Sequence, residues 1–291
     1  MPTGDRDDRQ VRVLVTGSGG LVGAAVVEAL AASGHAVVPY DLINSQDILD
    51  PPALREAVRG CDSVVHAAAL LGEPGDTPGR IMEVNLLGTW NVLCAAREAG
   101  VRRFLFLSSV DALGVFKGEH APDYLPLDDA HPCYAATPYA ISKRLGEDMC
   151  RLVAGSGDLT VVCLRPPGVW TPDTYAWIES ERAARTAFEW DPFWEYGAFL
   201  DIRDLSNACL RGLTCRADGF RCVLVASSDI TTSGRTSRDL AQFVHPDLEW
   251  RGGAEFDEEP FHTLVDIEPA RQLLDWTPRY TWRAHLEGAH A

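Results

Sequence analysis

The chain has 291 residues, 46% of them hydrophobic and 23% charged, which suits one large soluble α/β domain or a core with a smaller lobe. A formal net charge of −16 sets it against phosphate backbones and anionic lipid, so nucleic acid and membranes are not expected partners. No stretch has the length of a membrane span, and Gly4 to Gln10 is a charged tail without a signal core. The eight cysteines include no CxxC pair and several lie in apolar runs, so they read as reduced thiols of a cytoplasmic protein, with no metal site.

In chain order, short apolar runs alternate with helical patterns. Strands are expected at Val11–Val15, Ala36–Tyr40, Ser63–Ala67, Phe104–Leu107 and Thr160–Leu164. Helices are expected at Leu21–Ser33, stopped by Gly34, and after Asp50, which can cap a turn begun by Pro51. Two longer ones follow, Asn85–Ala99 and Pro138–Val153. Strands this apolar are buried on both faces, which implies a parallel, doubly wound sheet. After Arg165 the texture changes: Trp170, Trp177, Trp190 and Trp194 fall among prolines and charges, the mark of a substrate lobe. Arg203–Gly212 resumes a helix, Cys222–Ala226 a strand of the main sheet, and Glu268–Leu274 a short closing helix.

Thr16 to Gly23 lies between the first strand and first helix, with glycines at 17, 20 and 23. The first permits a tight turn, the second admits a pyrophosphate to the backbone, and the third lets helix and strand pack closely. The helix N-terminus offers unpaired N–H groups to the phosphates. Backbone at Gly17, Gly19, Gly20, Leu21, Val22 and Gly23 is therefore placed at a dinucleotide. Asp41 ends the second strand, where a carboxylate accepts from ribose hydroxyls and repels a ribose phosphate, favouring NAD over NADP. The fold expected is α/β, a Rossmann-type doubly wound parallel sheet with a small C-terminal substrate lobe. Residues 1–165 form the NAD-binding core and 166–291 the lobe, with 201–228 and 264–280 returning to the core.

Tyr139 and Lys143 stand four apart on one helix face. A nearby ammonium stabilises phenolate, and the tyrosine can then exchange a proton with an alcohol or carbonyl as hydride moves. Ser108-Ser109 follows the fourth strand and brings a hydroxyl to the sheet's carboxyl edge, where ligands bind.

These residues resemble the extended short-chain dehydrogenase/reductase family, which holds sugar-nucleotide epimerases and dehydratases. The likeness runs through TGxxGxxG at Thr16–Gly23, an acidic-apolar pair at Asp47-Ile48, and HxAA at His66–Ala69. It continues in NxxGT at Asn85–Thr89, YxxxK at Tyr139–Lys143, LRPxxV at Leu164–Val169, and the closing Asp266–Pro278. The resemblance implies that Tyr139 is the acid/base, that Lys143 orients the nicotinamide ribose and lowers the tyrosine's pKa, and that Ser109 holds the substrate oxygen. It implies further cofactor contacts at Asp47, Ile48, Ala67, Ala68, Ala69, Asn85, Leu107, Pro166, Gly168 and Val169. Substrate contacts are implied at Leu70, Ser109, Val110, Asp111, Arg165 and Trp170. It also implies a homodimer through a four-helix interface of Asn85–Ala99 and Pro138–Val153.

Departures from the family pattern narrow the activity. Family 4,6-dehydratases follow the catalytic Ser/Thr with Asp-Glu, whereas Ser109 precedes Val110-Asp111, and valine cannot protonate a leaving hydroxyl. Thr171–Leu200 is short, and Tyr196–Leu200 lacks the arginine with which nucleotide-sugar epimerases grip a diphosphate. The compact lobe resembles members that oxidise small substrates, such as uronate dehydrogenases; Arg165 is the nearest cation for a carboxylate, and the lobe tryptophans suit a sugar face. The expected activity is NAD-dependent hydride transfer on a small sugar or sugar acid. A sugar or nucleotide-sugar epimerase with tightly held NAD is the alternative. A non-catalytic NAD sensor is the third reading, and the Ser109-Tyr139-Lys143 set argues against it.

Overall fold

The computed structural model describes residues 10–157, 159–185, 192–232 and 234–288, with the side chains of 192–194 excepted. Most of the charged tail (residues 4–9) and Trp190 lie outside the described residues, as does the side chain of Trp194.

The first half runs β1 (Arg12–Thr16), α1 (Leu21–Ala32), β2 (Ala36–Tyr40), α2 (Pro51–Ala57), β3 (Ser63–His66), α3 (Pro78–Met82), α4 (Thr89–Glu98), β4 (Arg103–Leu107) and β5 (Tyr124–Leu125). It continues with α5 (Pro138–Ala154), β6 (Thr160–Arg165), β7 (Val169–Trp170), α6 (Pro172–Ala184), β8 (Leu200–Asp201), α7 (Ile202–Thr214) and β9 (Phe220–Leu224). Last come α8 (Ser237–Val244), β10 (Glu249–Trp250), α9 (Glu255–Glu258), α10 (Glu268–Leu274) and α11 (Trp282–Leu286).

Six strands pair in parallel in the order β2-β1-β3-β4-β6-β9. Side-chain alternation gives each strand two buried faces. Leu14, Val64, Phe104, Phe106, Val161 and Cys163 pack on one side with Leu54, Leu93 and Cys150 from the helices. Val13, Val15, Val65, Leu105, Val162 and Leu164 pack on the other with Val26, Leu30, Leu205 and Ala270. The chain leaves β1 towards both neighbours, so the crevice above the carboxyl ends of β1 and β3 is the switch point of the sheet.

The expected sheet and helices are present, with two shifts. The last main strand is Phe220–Leu224 rather than Cys222–Ala226, because it registers with Val161–Arg165; Val225 and Ala226 are buried beyond it against helices and lobe. The helix expected from Asn85 begins at Pro78, capped by Thr77, and passes through a π-helical stretch, Glu83–Gly88, before α4. Asp50 caps α2 as its sequence suggests, accepting from the Ala53 N–H at 3.2 Å. Pro39 lies on the edge strand β2. Residue 36 donates inward to Val11, so by alternation the nitrogen of residue 39 faces outward, and proline breaks no bond of the sheet.

The lobe has its own core, in which Val110, Leu113 and Phe116 meet Tyr196, Leu240, Phe256 and Leu264. Beside it Trp170, Tyr175, Ile178, Phe199 and Trp282 form an apolar cluster.

Candidate active site

The glycine turn is built by contact. Gly17 has φ +71°, donates to the Tyr40 carbonyl at 3.0 Å, and would place a Cβ 2.6 Å from the Ala68 backbone. A Cβ on Gly23 would stand 1.9 Å from the Gly17 carbonyl oxygen, so the helix can approach the turn only without one. Gly20 starts α1 with no side-chain cap and no acid in the first turn, leaving the helix N-terminus with donors for an anion. Asp41 reaches back over the turn: one carboxylate oxygen accepts from the Gly19 N–H at 2.9 Å and the other from the Ile43 N–H at 3.0 Å. Leu21, Leu42 and Ile43 stand exposed around it. Sequence reasoning passed over Leu42 and Ile43, for which the only signal is their place directly after the strand-end acid.

Ala67, Ala68 and Ala69 form the half-buried segment after β3, held where the Ala67 N–H donates to the Thr16 carbonyl at 3.1 Å. Three implied cofactor contacts, Ile48, Asp47 and Asn85, also have structural partners. Ile48 is buried, occupies the space a Cβ on Gly88 would need, and its carbonyl accepts from the Asn91 side chain. Neighbouring Asp47 accepts from the Leu49 N–H and, through its carbonyl, from the Tyr40 hydroxyl. Asn85 is also buried: its amide oxygen accepts from the Leu70 N–H, and its amide nitrogen donates to the Leu70 carbonyl and to Ser142 Oγ. With acceptor and both donors engaged, Asn85 holds the Leu70 loop against α5 instead of touching a ligand with its side chain. Ser142 in turn donates to the Tyr139 carbonyl at 2.7 Å.

Thr137 caps α5 and Pro138 occupies its first turn, which places Tyr139 at the helix start. Lys143 Nζ lies 5.6 Å from the centre of the Tyr139 ring and donates to the Leu107 carbonyl at 2.7 Å. Ser109 caps the short turn Val110–Leu113, accepting from the Asp111 N–H at 3.0 Å, and lies beside the Tyr139 phenol. Burial brings the Lys143 ammonium down to about 8. The Tyr139 phenol is pushed well above its ordinary value by burial and then by Asp111 and Glu195, with Ser109 working the other way. The lowering that the resemblance implies for Lys143 does not show in the phenol of the protein alone, which burial and two carboxylates hold high.

Three implied substrate contacts are corrected. Arg165 is 3% exposed and forms a two-pronged pair with Glu147, at 2.8 and 2.7 Å, while Ser108 donates to the same carboxylate at 2.6 Å. Val110 is core, with its N–H donating to the Pro166 carbonyl. Trp170 is buried, its ring centre 4.6 Å from that of Phe199 and 5.2 Å from that of Tyr175, so it packs and has no free face for a sugar. Gly168 donates to Glu195 Oε2 at 2.5 Å, and Val169 begins β7.

Sequence reasoning missed Lys117, Glu119 and Glu195. Lys117 Nζ lies 2.6 Å from Asp111 Oδ2 and 5.7 Å from the centre of the Tyr139 ring. Burial and Asp111 raise the Glu195 carboxyl to about 8. Nothing local marks these residues: Lys117 and Glu119 follow the Val110–Leu113 turn beside Asp111, and Glu195 reaches Asp111 from the lobe.

A parallel sheet whose switch-point crevice carries an uncapped glycine turn and a strand-end acid, with a Ser/Tyr/Lys set at its carboxyl edge, defines a dinucleotide-binding α/β enzyme scaffold. The family model "NAD dependent epimerase/dehydratase family" matches residues 13–217, and the chain belongs to that family. It is 29% identical over 184 residues to a 2-alkyl-3-oxoalkanoate reductase of Stenotrophomonas maltophilia (strain K279a), covering 56% of this chain and about half (52%) of that one. It is 27% identical over 325 aligned positions to a UDP-glucose 4-epimerase of Rhizobium meliloti (strain 1021), covering 95% of each. Among solved structures it resembles a short-chain dehydrogenase/reductase superfamily protein from Agrobacterium tumefaciens with bound NAD, at TM-score 0.69 and 23% identity, covering 96% and 95% of the two chains. A mutated uronate dehydrogenase superposes at TM-score 0.64 and 20% identity, covering 96% and 86%. These two likenesses establish the fold.

Proposed function

We propose that the protein transfers a hydride between NAD and the hydroxyl- or carbonyl-bearing carbon of a small polar substrate, a sugar or sugar acid. The observation that carries this reading is the meeting of the Tyr139 phenol, the Ser109 hydroxyl and the Lys143 ammonium at the carboxyl edge of the sheet that bears the glycine turn. The crevice fits the cofactor: turn and helix N-terminus would hold the pyrophosphate, and Asp41 the adenosine ribose. NAD bound there supplies the carbon that accepts or returns the hydride. Tyr139 takes the hydroxyl proton as an alcohol is oxidised, or gives it back to a carbonyl. Ser109 holds the oxygen that loses or gains that proton. Lys143, with a value near 8, keeps a positive charge beside the phenol at neutral pH and stabilises phenolate as it forms.

Incubating the enzyme with NAD and a panel of sugars and sugar acids should raise NADH absorbance. Tyr139→Phe should lower that rate about a hundredfold or more while NAD binding persists. Full activity in the Phe variant would end the reading.

The near full-length match to a UDP-glucose 4-epimerase supports a second reading, in which the same residues oxidise and then re-reduce one carbon. That enzyme would carry NAD through purification and release no NADH. A homodimer through α4 and α5 is part of the proposal, supported by exposed Leu87, Trp90, Leu145 and Leu152. Eight free cysteines support a reducing, cytoplasmic setting.

A further inference from the structure

One wall of the Tyr139 crevice is unused by proton and hydride transfer. Asp111 is 5% exposed; its Oδ2 accepts from Lys117 Nζ at 2.6 Å, and its Oδ1 is buried with no hydrogen-bond partner among the described residues. A buried carboxylate oxygen that lacks a donor carries a desolvation cost that a ligand hydroxyl would relieve. Glu195 faces it from the lobe, tied by Oε2 to the Gly168 N–H. Glu195, Tyr196 and Gly197 all have positive φ, 53°, 58° and 74°, and for the first two that conformation is strained. Buried Tyr196 anchors it by donating to the Val115 carbonyl at 3.1 Å. Residues held this way gather at ligand sites.

Among the described residues, the cations against the Tyr139 ring are Lys117 and Lys143. Lys117 is paired with Asp111, and Lys143 is buried on the Leu107 carbonyl. Arg165 is spent on Glu147. An incoming carboxylate or diphosphate, which can only accept hydrogen bonds, would meet in Asp111 Oδ1 another acceptor with no proton to give, whereas a hydroxyl can donate to it.

We infer that the crevice selects an uncharged polyhydroxylated substrate, an aldose or polyol whose hydroxyl beside the reacting carbon donates to Asp111 Oδ1, and turns away substrates anionic at that place. The inference rests on the hydride-transfer reading and narrows it.

The test is calorimetric binding to the enzyme–NADH complex, with NADH formation from NAD in parallel, for D-galactose against D-galacturonate and D-glucose against D-glucuronate. Each aldose should exceed its uronate by roughly tenfold or more. Asp111→Asn should raise the aldose KM by a similar factor and move kcat less. Uronates bound as well as aldoses, an unmoved aldose KM in a folded Asp111→Asn protein, or no binding by any of the four overturns the inference. If the variant does not fold, the wild-type ratio of aldose to uronate decides it. Turnover that survives Tyr139→Phe sinks the hydride-transfer reading itself; uronate preference in an enzyme that needs Tyr139 sinks only the narrower one.

Discussion

His66 shows how much one side chain settles beneath the site. Thr16 Oγ1 lies 2.6 Å from its Nδ1 and Thr89 Oγ1 2.8 Å from its Nε2. Thr89 gives its hydroxyl proton to the Asn85 carbonyl at 2.6 Å, so it accepts from Nε2–H, and the network assigns the tautomer. Burial, then Lys143, lowers the imidazole to about 3. Between about pH 6.5 and 3 the unfolded chain therefore binds a proton that the folded one refuses, and this residue's contribution to stability is lost as pH falls through that window. Urea unfolding at several pH values should show a shallower acid loss in His66→Gln than in the wild type; identical slopes would refute the assignment. Residues with a local reason for their place were legible in the sequence, such as the glycines of a strand-to-helix turn and a Tyr-Lys pair four apart. The structural ties of Arg165, Trp170, Asn85 and Ile48 were not legible because their partners lie far along the chain: Glu147, Phe199, Leu70 and Gly88.

Among the elements, α5 joins chemistry and scaffold. Its first turn carries Tyr139, its second Lys143, and its third Glu147, which fastens it to the end of β6 through Arg165. Removing one partner of such a buried pair strands the other charge, so Glu147→Ala should cost about 3–5 kcal/mol in urea unfolding. Replacing both, Glu147→Met with Arg165→Met, should restore much of that stability; a single variant as stable as the wild type would show the pair to be idle. Strands and helix faces were readable because an apolar run of the right length admits few alternatives. The π-helical stretch was not, since Pro78 reads equally as a loop residue and the extra turn residue leaves no mark on hydrophobic spacing. The lobe was legible only as a change of texture, because its core is assembled from Val110–Phe116, Tyr196, Leu240 and Leu264, which are remote in sequence.

At the scale of the whole molecule, large apolar side chains stand in water on the helices proposed to pair. Leu87 and Trp90 are 50% and 45% exposed beside α4, and Leu145 and Leu152 are 41% and 74% exposed on α5. Sedimentation should find a dimer in the wild type and a monomer in Trp90→Glu with Leu152→Glu, the monomer keeping its sheet. A monomeric wild type would sink the pairing. The outer rim of β2 has a different consequence. A second strand laid along it would look for a donor at position 39 and find a pyrrolidine ring, so the ladder would fail where it began. Crowded molecules are thereby discouraged from growing into fibres along that side, a safeguard that costs the native pairing nothing.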